Sequence, residues 1–184
     1  DINRSFFSYI PNTAETCFLG LLEAVGGALR CIEADAIWDK IQDGSVTRDD
    51  LSKLNHTRVK AELIAHKDQR LRTFITHDAA RRDLVTHIYD ITRGLIERDD
   101  KLVVVDDSIV RGTTKPRVVE LLKRAGAKEI HVRIASPIIT SPCFLGVDMA
   151  TKTELIGANL GLEDIKEHIG SDSLGYLSLD GLNN

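Results

Sequence analysis

Between residues 101 and 135 the chain reads strand, helix, strand, and no other feature leaves it fewer folds. The run KLVVV is continuously apolar after its lysine and closes on three β-branched valines. That is how a parallel strand covered on both faces reads, whereas a half-exposed strand alternates. Residues 115–125 place Val118, Val119, Leu121, Leu122 and Ala125 on one helical stripe, with Gly126 at the C′ position. Residues 129–135 supply the next strand. A strand–helix–strand unit of about 35 residues joins parallel strands by a right-handed crossover. The expected class is therefore α/β, a mostly parallel sheet flanked by helices.

The remaining elements are read around that unit. Residues 6–10 form a short strand. A helix follows PNTAE, with Phe18, Leu21, Leu22 and Val25 on one face and Asn12 and Glu15 at capping-box spacing. Gly26-Gly27 weakens or ends it. Within residues 30–56, TRDDLSKL reads as a short helix capped by Thr47. Residues 59–65 and 72–75 read as strands, joined by the charged loop HKDQRL. Residues 82–93 have the helical spacing Leu84, Val85, Ile88, Ile91, with Gly94 at the end. Short helices are expected over 151–159 and 162–169.

A length of 184 residues suits one domain with a real core. The composition, 42% hydrophobic and 28% charged, predicts a soluble globular chain. A net charge of -4 argues against a general nucleic-acid binder, which needs a basic surface. No apolar run reaches membrane-span length. Cys17, Cys31 and Cys143 are too few and too scattered for a disulfide framework or a zinc site, so a reducing cytoplasm is expected.

The chemistry concentrates in VVVDDSIVRGTT, residues 103–114. Ligands of open parallel sheets bind at the carboxyl ends of the strands, and Asp106 and Asp107 end this one. Adjacent carboxylates repel unless something positive or hydrogen-donating lies between them. A sugar diol donates two hydroxyls, and a divalent cation can bridge the diol to a phosphate. Behind the acids, Gly112 permits close backbone approach. Thr113 and Thr114 add hydroxyls, and the unpaired N–H groups of a helix start attract phosphate. Pro116 is tolerated in that first turn. A bare acidic pair after a strand more often forms a turn or caps a helix. The whole run DDSIVRGTT fits a phosphoribosyl group part by part.

This run closely resembles the phosphoribosylpyrophosphate (PRPP) motif of the amidophosphoribosyltransferases. RTFI at residues 72–75, RAGAKEIHVRIASP, SPCFLGVDM and IGSDSLGYLSLDGL resemble further family segments. The resemblance runs from about residue 8 to 182, with a gap over 27–56. It implies a type I phosphoribosyltransferase fold. It also implies a phosphoribosyltransferase domain over residues 1–184, a fragment lacking the N-terminal glutaminase domain, with an insertion at 27–56.

The family's roles carry over by position. Asp106 and Asp107 would hold the ribose hydroxyls and Mg²⁺. Arg111, Gly112, Thr113 and Thr114 would cradle the 5-phosphate, with backbone from Ser108, Ile109 and Val110. PNTA resembles the family's pyrophosphate loop P-D-S-G; Asn12 and Thr13 stand for its Asp and Ser, and Thr13 keeps a hydroxyl for the metal. Lys67 and Arg72 resemble the basic residues of the family's flexible loop, here KDQRLRTF, one residue shorter. A lid over residues 65–80 would exclude water. Asp106, Asp107 and Arg72 are thus the candidate catalytic residues, and Thr13, Asp106 and Asp107 the candidate metal ligands.

The implied reaction is displacement of pyrophosphate from PRPP by glutamine-derived ammonia, the first step of purine synthesis. The family's glutaminase uses an N-terminal cysteine; none is found here, so no glutamine use is expected from this chain. Cys143 matches a ligand of the iron–sulfur cluster in one class of the family. A C-terminal C-x-x-C and an upstream cysteine are missing, so no cluster is expected. Cys17 and Cys143 read as buried thiols and Trp38 as a packing anchor. The six histidines show no ligand spacing. Homo-oligomers and purine-nucleotide inhibition are family expectations. The alternatives are another type I phosphoribosyltransferase acting on a base, or a PRPP-binding regulator without catalysis.

Overall fold

The computed structural model describes residues 5–11, 13–53, 59–67, 89–92, 94–97, 99–145 and 151–183. Five strands form one sheet: β1 (Ser5–Tyr9), β2 (Lys60–Ala61), β5 (Lys101–Asp106), β6 (Glu129–Ile134) and β7 (Ser173–Tyr176). Their order is β2-β1-β5-β6-β7, and every pairing is parallel. A separate antiparallel ribbon pairs β3 (Ala65–Lys67) with β4 (Tyr89–Ile91). The helices are α1 (Glu15–Gln42), α2 (Arg48–Lys53), α3 (Lys115–Arg124), α4 (Ile156–Asn159), α5 (Leu162–Ile169) and α6 (Leu179–Asn183), with a 3₁₀ turn at Lys152–Glu154.

Strand alternation divides the core. Phe6, Leu102, Val104, Ile130, Val132, Ile134 and Leu174 point to one face. There Val118, Val119 and Leu122 of α3 and Ile165 and Ile169 of α5 cover them. Phe7 and Val105 point to the other face, against Ala14 and Phe18 at the start of α1. The central βαβ unit follows the sequence pattern closely: α3 ends at Arg124, and Gly126 takes φ 116°, the left-handed stop.

Four elements depart from expectation. Helix α1 does not stop at Gly26-Gly27 but continues to Gln42. Two glycines cost a helix about 1 kcal/mol each, which the Ala, Leu and Glu residues around them offset. Residues 27–56, expected as an insertion, thus begin as the outer half of α1. Its first helical residue is Glu15 after Ala14, which offers no capping side chain; Asn12 lies outside the described residues. Residues 59–65 do not form one strand. After β2, Glu62 N–H still reaches Phe7 O at 3.2 Å, and residues 65–67 then leave to pair with β4. His66 and Lys67, expected in a loop, lie in that ribbon.

Residues 89–91, expected as helix, are strand β4: pairing with β3 overrides the helical spacing of Ile88 and Ile91. Residues 72–75 and 82–88 lie outside the described residues. Strand β7, inside the tail SDSLGY, had no expectation attached. The short helix after Thr47 is present. Thr47 Oγ accepts the Asp50 N–H at 3.2 Å, the Thr47 N–H donates to Asp50 Oδ2 at 2.9 Å, and Lys40 pairs with Asp50 from the end of α1.

Cys17 is exposed, because it sits about 100° round the helix from buried Phe18. Trp38 is 60% exposed, which does not suit the packing anchor expected of it. Cys143 is half-buried, its sulfur accepting the Leu145 N–H at 3.4 Å. No helix among the described residues is long and apolar enough to cross a membrane.

Candidate active site

The site forms where β1 and β5 end side by side. Their parallel register sets Tyr9 beside Val105, and Ile10 N–H extends the pairing to Val105 O at 2.8 Å. The two strand-end loops therefore emerge together. Thr13 Oγ donates to Asp107 Oδ2 at 2.7 Å, joining residues 94 positions apart.

The two acids stand in different surroundings. Asp107 is half-buried; its Oδ1 accepts the Ser108 N–H at 2.8 Å while Oδ2 takes Thr13. Asp106 is 4% exposed, and its Oδ1 accepts the Asp107 N–H at 2.8 Å. Its Oδ2 pairs with the ammonium of Lys115 at the start of α3.

The loop between Asp107 and α3 is tied to the C-terminal elements. Ile109 plugs the core. Val110 O accepts the Ile156 N–H at 2.9 Å. Arg111 lies 3.7 Å from the Glu154 carboxylate. Gly112 takes φ +71°, and a Cβ there would meet Ile156 Cδ1 at 2.5 Å. A ring nitrogen of His168 lies 3.3 Å from Gly112 O. Thr113 is exposed; Thr114 precedes α3 and accepts the Val118 N–H at 3.3 Å. No acidic residue lies in the first turn of α3, which leaves its positive end open to an anion.

Thr13, Asp106, Asp107, Ser108, Ile109, Val110, Arg111, Gly112, Thr113 and Thr114 thus converge on one edge. Lys67 is placed in β3, opposite Tyr89. Asn12 and Arg72, with most of the expected lid, lie outside the described residues. Sequence reasoning missed Lys115 and the supporting Glu154, Ile156 and His168. Lys115 had a readable signal: it opens the helix that returns over the strand Asp106 ends.

A parallel sheet whose adjacent strands β1 and β5 end in a hydroxyl loop, an acidic pair and a glycine-turned loop feeding a helix defines a phosphoribosyltransferase-type domain. No family model matches the chain. Over 111 residues the chain is 50% identical to an amidophosphoribosyltransferase of Methanocaldococcus jannaschii, covering 60% of this chain and 24% of that protein. Over 112 residues it is 46% identical to the amidophosphoribosyltransferase of Bacillus subtilis, covering 60% of this chain and 23% of that one. The solved structure of glutamine PRPP amidotransferase from B. subtilis with ADP and GMP matches with a TM-score of 0.67 at 33% identity, over 97% of this chain and 32% of that chain. The chain is similar to amidophosphoribosyltransferases and has the type I phosphoribosyltransferase fold of that solved structure, and it spans about a quarter of the length of the curated relatives it matches.

Proposed function

We propose that this chain binds PRPP with Mg²⁺ at the β1/β5 edge and transfers the phosphoribosyl group to ammonia, the first step of purine synthesis. The observation that supports it most is the Thr13–Asp107 hydrogen bond at 2.7 Å, which joins the pyrophosphate-type loop to the ribose-type acid. The loop Arg111, Gly112, Thr113, Thr114 and the start of α3 take the 5-phosphate, with backbone from Ser108, Ile109 and Val110. Lys67 and Arg72 remain candidates for the pyrophosphate.

The donor set suits Mg²⁺. Thr13 and Asp107 offer hard oxygens 2.7 Å apart, and no group of three His, Cys, Asp or Glu among the described residues forms a metal cage. A cation that keeps several waters and shares substrate oxygens fits so sparse a set. When bound, it would neutralise charge on the departing pyrophosphate.

The ammonia nitrogen forms a bond to C1 as the C1–O bond to pyrophosphate breaks, its electron pair leaving with pyrophosphate. The ammonium-type product then loses a proton to solvent. Because the leaving group is good, the chain's work is positioning and electrostatic stabilisation. Homo-oligomerisation and a reducing compartment such as the cytoplasm belong to the same reading; the three free cysteines suit the latter.

The test is pyrophosphate release from PRPP and Mg²⁺ with ammonium or with glutamine. Release with ammonium and not glutamine is expected. PRPP binding without release from either would favour a regulatory domain, and no binding would overturn the reading.

A further inference from the structure

Two carbonyls of the loop before α3 are held by elements from the C-terminal part of the chain. Val110 O accepts the Ile156 N–H at 2.9 Å. A ring nitrogen of His168, Nε2, lies 3.3 Å from Gly112 O. In a trans peptide the carbonyl and the next N–H point in opposite directions. The Val110 and Gly112 carbonyls are turned toward α4 and α5, so the N–H groups of Arg111 and Thr113 are turned away from them. Neither N–H has a partner among the described residues. Neighbouring backbone N–H groups in such a turn form an anion-binding concavity, and Gly112 supplies the left-handed residue between them with φ +71°.

His168 is the side chain in this arrangement. Its ring packs on Gly112: the position a Cβ would take there lies 3.5 Å from both His168 Cδ2 and Nε2. Helix α5 carries the ring on a fixed platform, because Ile165 and Ile169 on either side of it are buried in the core. Just past the helix end, Lys123 of α3 donates to Gly170 O at 2.7 Å. His168 itself is exposed, so water competes for the same carbonyl and the expected effects are a few-fold.

We propose that His168 is a positioning residue for the 5-phosphate. By donating from Nε2 to Gly112 O, it fixes the Gly112–Thr113 peptide with the Thr113 N–H facing the phosphate. It acts through the loop and touches no substrate atom. This rests on the reading of the edge as a PRPP site. It deepens that reading by adding a residue 56 positions beyond Gly112 that no part of the motif contains.

The test uses the full chain and two readouts. Without ligand, nitrogen-15 spectra of the neutral His168 ring should place its proton on Nε2, the only tautomer that can donate to Gly112 O. By calorimetry, His168→Leu should weaken PRPP and ribose 5-phosphate by a common factor, about threefold to tenfold, and leave inorganic pyrophosphate with Mg²⁺ almost unchanged. His168→Gln, whose amide nitrogen can take the place of Nε2, should restore most of the loss.

A proton on Nδ1 instead would overturn the contact. Parent-like PRPP affinity in His168→Leu, or equal losses in His168→Leu and His168→Gln, would overturn the positioning role while leaving the PRPP site intact. An equal loss of pyrophosphate affinity would show a general structural effect and overturn it too. If the parent chain binds no PRPP, the site reading itself falls, and the role of His168 falls with it.

Discussion

Gly112 shows how narrowly one residue can be specified. Its φ of +71° is strained for any side chain, and a Cβ would strike Ile156 Cδ1 at 2.5 Å. Gly112→Ala is expected to destabilise the chain by about 1–3 kcal/mol and to weaken the PRPP binding proposed above, read by thermal unfolding and calorimetry. The motif made Gly112 legible in the sequence as a point of close approach, although the neighbour it approaches, 44 positions later, was not. The inequality of Asp106 and Asp107 was readable in principle. Leu102, Val104 and Asp106 share one strand parity, so whichever helix covers the first two covers the third. The sequence does not say how close Lys115 comes, because that depends on the path of the loop between them.

At the scale of elements, α1 and α2 form an outlying unit with its own electrostatics. Lys40 and the Thr47 cap hold the Asp50 carboxyl well below the usual aspartate range. A carboxyl depressed in the folded state adds stability above its ordinary value, and that contribution is lost as pH falls toward the folded value. The helicity of the parent chain should therefore exceed that of Asp50→Asn at neutral pH. The difference should shrink as pH drops below about 4, read by circular dichroism. Gly26→Ala should stabilise α1 by about 0.5–1 kcal/mol, since the new methyl meets only Arg30 at an ordinary 3.6 Å. The Thr47 cap was legible because capping is local. The span of α1 and the nature of β4 were not. A glycine pair carries only a modest penalty, and the β3–β4 pairing joins segments more than twenty residues apart in sequence.

Across the molecule, the order β2-β1-β5-β6-β7 sends the chain outward in both directions from the β1–β5 seam. Such a reversal opens a crevice at the carboxyl edge, and the acidic pair and Thr13 meet there. The β5–α3–β6 unit was predictable from periodicity alone. Its neighbours were not, because nothing local tells β1 to lie beside β5. Ile130, fully buried on β6, lies in the middle of this arrangement. Ile130→Ala should cost about 2–5 kcal/mol in denaturant unfolding, well above the effect expected at exposed Ile32.

The Thr13–Asp107 contact spans 94 positions, so the motif and the site are different objects. A peptide of residues 101–135 would carry every letter from Asp106 to Thr114 and still lack Thr13, the hydrogen-bond partner of Asp107. On the proposed reading, competence for the ligand arises only when β1 and β5 have met. Ligand binding would therefore serve as a readout of completed long-range folding, silent in any state where the seam is open.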